Sequence, residues 1–172
     1  MESRLELAYA LVLEGSPSVI QFRTQSVQIP LGSGAFAVPD FLIETVHGNY
    51  LIHEVKPSKR HLKQDDIARF ASIGALLSEM AIEFSVIDAT ELPTDDEVLG
   101  LLALYAQGHR RHYTASQIDL ADSLLQQEKV KDLGAAHAVL SANALPLELA
   151  SYLQFHGRLF SKVASRAGGR HG

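Results

Sequence analysis

The stretch that most constrains this chain runs from Pro39 to Lys56, PDFLIETVHGNYLIHEVK. Residues 41–46 and 50–55 are rich in β-branched and aromatic side chains, and His47-Gly48-Asn49 between them tolerates positive φ. That pattern predicts two strands joined by a tight turn. Asp40 stands where the first strand begins, and Glu54 and Lys56 lie on the second. Side chains alternate along a strand, so Glu54 and Lys56 project to one side and His53 and Val55 to the other. A lysine two residues from a glutamate in an otherwise apolar strand answers no packing need.

Around this hairpin the chain reads in order. Residues 3–13 have helical character, and Glu14-Gly15-Ser16-Pro17 ends the segment with a glycine and then a proline. Ser3 and Glu6 fit a capping box, in which the glutamate bonds back to the N-cap amide. Glu6 also shares a face with Ala10 and Leu13, which would turn its carboxylate toward the core, where it needs a partner or a cation. Both readings of Glu6 stand at this level. Residues 19–31 form one bent strand or two short ones, and Gly32-Ser33-Gly34 makes a turn, without the third glycine and helix opening of a phosphate loop. After Pro57 comes a basic cluster of Lys59, Arg60, His61 and Lys63. Ile67, Phe70, Ile73, Leu76 and Leu77 keep helical spacing over 62–80, and 82–87 is a further strand. A strand, a long helix and another strand suggest a right-handed crossover, hence an α/β fold with a mixed sheet flanked by helices over residues 1–93.

The second half changes character. Thr94 caps a helix to about Ala106, and Gly108-His109-Arg110-Arg111-His112 follows as a basic joint, so residues 94–113 read as a connecting helix and linker. Thr114 and Gln117 fit a second capping box, and another helix spans about 131–143. Apolar residues on either side of His156-Gly157 suggest a hairpin over 147–163. Two helices and a hairpin outline a winged helix over 114–165; a small helical cap is the plainer alternative. Residues 166–172 form a Gly-rich, basic tail expected to be disordered.

Several classes of chemistry drop out. The 172 residues contain no cysteine, which excludes disulfides and thiolate chemistry and is compatible with a reducing, cytoplasmic setting. The N-terminal stretch is too polar for a signal peptide, and nothing reaches membrane-spanning length. A formal charge of −5 argues against indiscriminate coating of nucleic acid, but not against a nuclease, whose metal site is itself acidic. His53-Glu54 opens like a zinc-protease motif, but Pro57 occupies its fifth position. No G-x-S-x-G is present. His109 and His112 read as a solvated hinge, and His53 as a packed residue.

Glu6, Asp40, Glu54 and Lys56 remain. Carboxylates with a backbone carbonyl, here that of Val55, make a hard oxygen site for Mg²⁺, with Mn²⁺ able to substitute. Such an ion polarises a phosphoryl oxygen and activates water, and a lysine beside it orients that water and offsets charge.

Pro39-Asp40, a hairpin and Glu54-Val55-Lys56 resemble the PD-(D/E)XK nuclease motif. S-R-L-E at 3–6, the G-S-P-S-V turn, Phe22-Arg23-Thr24-Gln25, P-D-F-L-I, H-G-N-Y and E-V-K-P extend the likeness. Over roughly the first 90 residues the chain is similar to the nuclease domain of TnsA, the endonuclease subunit of heteromeric transposases. Its second half is similar, less specifically, to the TnsA C-terminal winged-helix domain. The resemblance implies a restriction-endonuclease-like fold, Glu6, Asp40 and Glu54 as metal ligands, and Lys56 as the catalytic lysine. It implies cutting of 5′ strands at transposon ends beside a DDE-type transposase subunit that cuts the 3′ ends, with an AAA+ ATPase regulator as a further partner. Two departures bear on partners and subfamily: the chain starts almost at the catalytic helix, and Gln25 is followed by Ser26 in place of proline. Lys59, Arg60, Lys63, Arg110 and Arg111 are the candidate DNA contacts. Two further readings remain, a stand-alone nuclease for repair, restriction or phage DNA processing, and an inert DNA-binding or assembly module using Arg158, Lys162, Arg166 and Arg170.

Overall fold

A computed structural model describes residues 2–32 and 34–160, with side chains from Arg4 onward. The Ser3 cap, the Ser33 turn position and the 166–172 tail, with Lys162, Arg166 and Arg170, lie outside the described side chains. The chain divides into two compact units, Met1–Pro93 and Thr94–Gly172.

The first unit is α/β. It runs α1 (Glu2–Gly15), β1 (Val19–Thr24), β2 (Ile29–Pro30), β3 (Phe36–Ala37), β4 (Phe41–Thr45), β5 (Tyr50–Lys56), α2 (Gln64–Glu79) and β6 (Glu83–Asp88). Four strands form a mixed sheet in the order β1-β4-β5-β6, and β2 and β3 pair separately. β1 with β4 and β4 with β5 are antiparallel, whereas β5 and β6 are parallel and joined through α2. Parallel neighbours require such a crossover. The segment 19–31 resolves into two short strands, broken where Gln25 takes φ 47.

Alternation along the strands sorts the core into two layers. Phe41, Ile43 and Val55 pack with Tyr9 and Leu13 of α1. Ile52 packs with Phe70, Ile73 and Leu77 of α2, joined by Leu42, Phe84 and Val86. Both faces of the central strands are therefore covered by apolar helix faces, which is what their near-continuous hydrophobic runs require.

The second unit is helical throughout its described residues: α3 (Asp95–Gly108), α4 (Ala115–Gln127), α5 (Leu133–Ala142) and α6 (Glu148–Phe155). Thr94 and Thr114 cap α3 and α4 with full capping boxes through Glu97 and Gln117. Ala121, Leu125, Ala136, Leu140, Leu149, Ala150 and Leu153 form its core. α3 packs along α6 within this unit, so residues 94–108 serve it as a structural helix and not as a connection.

The hairpin expected over 147–163 is not formed in its described part, where α6 stands instead. Leu149, Ala150 and Leu153 are all fully buried, a helical spacing. Gly157, at φ 67, is the residue after the helix cap and not a hairpin turn. Its N–H donates to Gln154 O and that of Arg158 donates to Leu153 O, the paired bonds of a Schellman ending. His156-Gly157 thus closes a helix, and the wing is absent from the described residues. No described helix is long and apolar enough to cross a membrane.

Candidate active site

β4 and β5 carry the candidate site. Phe41 is the last residue of β4 to pair with β5, opposite His53. One step further along that register, Asp40 faces Glu54 across the strands. Both side chains leave the α2 face of the sheet, because Phe41 and Val55 occupy the α1 face. Pro39 is fully buried beside Asp40 and fixes the approach to the strand.

Asp40 Oδ2 accepts the backbone N–H of Val55 at 2.8 Å. In a strand the N–H and C=O of one residue point the same way, so the Val55 carbonyl also turns toward the Asp40 side. Lys56 Nζ stands 2.9 Å from Glu54 Oε1, and both side chains are largely buried. Burial pushes the Glu54 carboxyl above its ordinary range; the bond from Lys56 pulls down, the Asp40 charge pushes up, and the Lys56 and Arg69 charges pull down without reversing the shift. Two carboxylates thus share a poorly hydrated place where a cation relieves their repulsion.

Asp40, Glu54 and Lys56 come together. Glu6 is half-buried on α1, the helix that packs on the face carrying His53 and Val55. Among the described residues no three His, Asp or Glu side chains gather into a metal-holding group. Two carboxylates and one carbonyl still suit Mg²⁺, which keeps several waters and commonly takes only one or two protein carboxylates.

The candidate DNA contacts divide between the units. Lys59, Arg60 and His61 form a short 3-10 turn after β5, in which Arg60 is exposed; Lys63, also exposed, precedes α2. Lys59 has a structural part: its N–H donates to Asp88 Oδ2 at 2.6 Å, and its ammonium bonds Glu91 Oε1 at 2.5 Å. Arg110 and Arg111 belong to the second unit, and Arg111 pairs with Glu148 at 3.1 Å. Arg158 is taken up by Asp122 and Asp119 of α4.

Three residues near the site escaped sequence reasoning. Asp88 ends β6 in register with Lys56 and accepts from Lys59 N, Thr90 N and Thr90 Oγ1. Those bonds hold its carboxyl down to about 2. The signal was Asp88-x-x-Glu91, a capping box that the structure forms in full. Arg69 of α2 lies near enough to act on Glu54 and is steadied by Asp66 at 3.0 Å, but nothing local in the sequence marks it. Tyr9 shares a short hydrogen bond with His53 Nδ1 under α1. Burial holds that histidine neutral, down to about 4, and raises the Tyr9 hydroxyl. His53 is therefore a packed residue. His109, expected as a solvated hinge, is instead half-buried among Tyr105, Tyr152 and Phe155.

No known protein family matches the sequence, and no curated protein is similar to it.

Proposed function

We propose that the first unit is a Mg²⁺-dependent DNA endonuclease of the PD-(D/E)XK type, acting as a TnsA-like subunit that cuts 5′ strands at transposon ends. The observation that carries this reading is the juxtaposition of Asp40, Glu54 and Lys56 on one sheet face, tied by the bond from Val55 to Asp40. The mixed sheet between α1 and α2 is compatible with the restriction-endonuclease-like architecture the motif implies.

Asp40, Glu54 and the Val55 carbonyl would hold the ion. When bound, it supplies Lewis-acid chemistry, polarising a phosphoryl oxygen and making water more acidic. Lys56 keeps a cationic donor against Glu54, where it orients the attacking water and offsets negative charge on the scissile phosphate. Arg60 and Lys63, exposed on the turn that follows β5, track neighbouring phosphates. Glu6, on α1, would complete the ligand set, as the resemblance implies. A DDE-type transposase and an AAA+ regulator are the partners this role calls for.

The test is strand cleavage in the assembled transposase with Asp40→Ala and Lys56→Ala. Both should lose the 5′ cut; undiminished cutting by either sinks the assignment. A stand-alone nuclease is the second reading, favoured by the helical second unit, which shows no wing among its described residues. Robust Mg²⁺-dependent cleavage of naked DNA without partners would select it. Failure of the wild type both to bind Mn²⁺ and to cut in the assembly would leave the inert assembly module.

A further inference from the structure

α3 and α6 end side by side. Gly108 closes α3, and a Cβ on it would meet Tyr152 Cα and N of α6 at 2.7 Å, so the close approach requires glycine. That approach brings together the two cap residues, His109 after α3 and His156 after α6. Their Nε2 atoms stand 3.4 Å apart.

His109 Nδ1 lies 3.0 Å from the Tyr105 carbonyl, which can only accept. Nδ1 is therefore the donor to that carbonyl, which leaves Nε2 as the ring nitrogen that faces His156. At 3.4 Å the two rings make a long hydrogen bond in the absence of a metal. That separation suits two imidazoles sharing one tetrahedral ion, whose ligand nitrogens at ~2.0–2.1 Å from the ion stand ~3.4 Å apart. Donation of the other ring N–H to a backbone carbonyl is the usual outer support of a metal-ligating histidine, and it is already made here.

Electrostatics and packing favour the same place. Two helix C-termini converge there, each carrying partial negative charge that welcomes a cation. Tyr105 stacks on His109 at 4.2 Å between ring centroids, Tyr152 lies 4.4 Å from His156, and Phe155 meets His109 edge-on, so the rings are held by packing. The guanidinium of nearby Arg111 is drawn to Glu148.

We propose that His109 and His156 form a two-histidine transition-metal site, for Zn²⁺ or an ion of like preference, that clamps α3 to α6 and leaves its remaining positions open to water or a carboxylate ligand. Imidazole donors separate it in kind from the hard oxygen site of the first unit, and it stands whether or not that site cuts DNA.

The test is calorimetric titration of the full chain with ZnCl₂ in wild type, Asp40→Ala, His109→Gln and His156→Gln, with folding checked by circular dichroism. One saturable event is expected in wild type and in Asp40→Ala, and its loss in both histidine variants. Binding unchanged in either histidine variant, or no event in wild type, overturns the proposal. Should a histidine variant fail to fold, wild type decides alone: Co²⁺ should give tetrahedral visible absorption, and Zn²⁺ should shift the His109 and His156 ring resonances. With eight histidines in the chain, shifts confined to the others would be equally fatal.

Discussion

Asp40 accepts the Val55 backbone N–H at 2.8 Å, so the carboxylate that precedes β4 is bonded into the strand that carries Glu54 and Lys56. The same side chain faces Glu54 across the register and shifts its titration. Asp40 therefore has two separable duties: it closes the β4–β5 ladder and it adds a carboxylate beside Glu54.

Asp40→Asn and Asp40→Ala tell these duties apart. The amide keeps an oxygen acceptor for Val55, so Asp40→Asn should unfold in urea close to wild type while losing Mn²⁺ binding and cleavage. Asp40→Ala removes the acceptor as well and should cost a further ~0.5–1.5 kcal/mol, the range for a hydrogen bond between neutral groups. Equal destabilisation by both variants would show that the bond contributes nothing.

Glu54 makes stability depend on pH with a definite sign. Its carboxyl is raised above 4.5 in the fold, chiefly by burial. The folded state thus holds the proton more tightly than the unfolded chain. The stabilisation is present in full below the ordinary carboxylate value and is lost as pH rises through the elevated one. Glu54→Gln cannot titrate, so in chelator its stability should gain on wild type as pH climbs above 4.5. Mn²⁺ affinity of the wild type should weaken as pH falls through the same window, because proton and ion compete for the carboxylate. Parallel pH curves for the two proteins would refute the burial argument.

The central strands were legible because their signals are local. Alternation in 50–56 puts Glu54 and Lys56 on one side of β5, and it took the β4–β5 register to set Asp40 opposite Glu54. Capping boxes at Thr94 and Thr114 likewise mark helix starts through side chains three residues apart. Helix ends were harder. Ala81, Lys129 and Ala144 take positive φ after α2, α4 and α5, where the usual marker is glycine, so those ends carry no sequence flag. At Gly157 the flag is present but ambiguous, since a glycine after an apolar run ends a helix or turns a hairpin equally well. Asp88 carried a local signal in Asp88-x-x-Glu91, whereas Arg69 and the His109–His156 pair depend on elements far apart in sequence, and no spacing rule reaches them.

His53 contributes to acid sensitivity from the other side of the sheet. Burial lowers it to about 4 from an ordinary 6.5, against an upward pull from Glu83 and Glu91. Its folded form is neutral, so the stabilisation is present above 6.5 and is lost as pH falls toward 4, about 3 kcal/mol at most across the window. His53→Gln keeps a polar partner for Tyr9 without titrating. Its stability between pH 6.5 and 4 should fall less than that of wild type, measured by urea unfolding at each pH. Tyr9→Phe should cost about 1 kcal/mol at pH 7 by removing the hydroxyl from a buried hydrogen bond.

Gly108 is the most demanding position in the second unit. It adopts ordinary helical geometry in α3, so alanine there is conformationally acceptable and would on propensity alone stabilise the helix by up to ~1 kcal/mol. Space decides against it. The added Cβ would lie 2.7 Å from Tyr152 N and Cα and 3.1 Å from Ser151 C, all backbone atoms of a helix whose other face is fully buried. α6 cannot yield without displacing Leu149, Ala150 or Leu153 from the core, and overpacking of that kind costs ~1–3 kcal/mol. Gly108→Ala should therefore lower the melting temperature despite its better helix propensity, and Gly100→Ala, where nothing lies within 4 Å of the new Cβ, should raise it. Because the same approach sets the His109–His156 spacing, Gly108→Ala should also weaken Zn²⁺ binding, whereas Gly100→Ala should leave it intact. A melting temperature that rises in both variants would mean that α3 and α6 are not in close backbone contact.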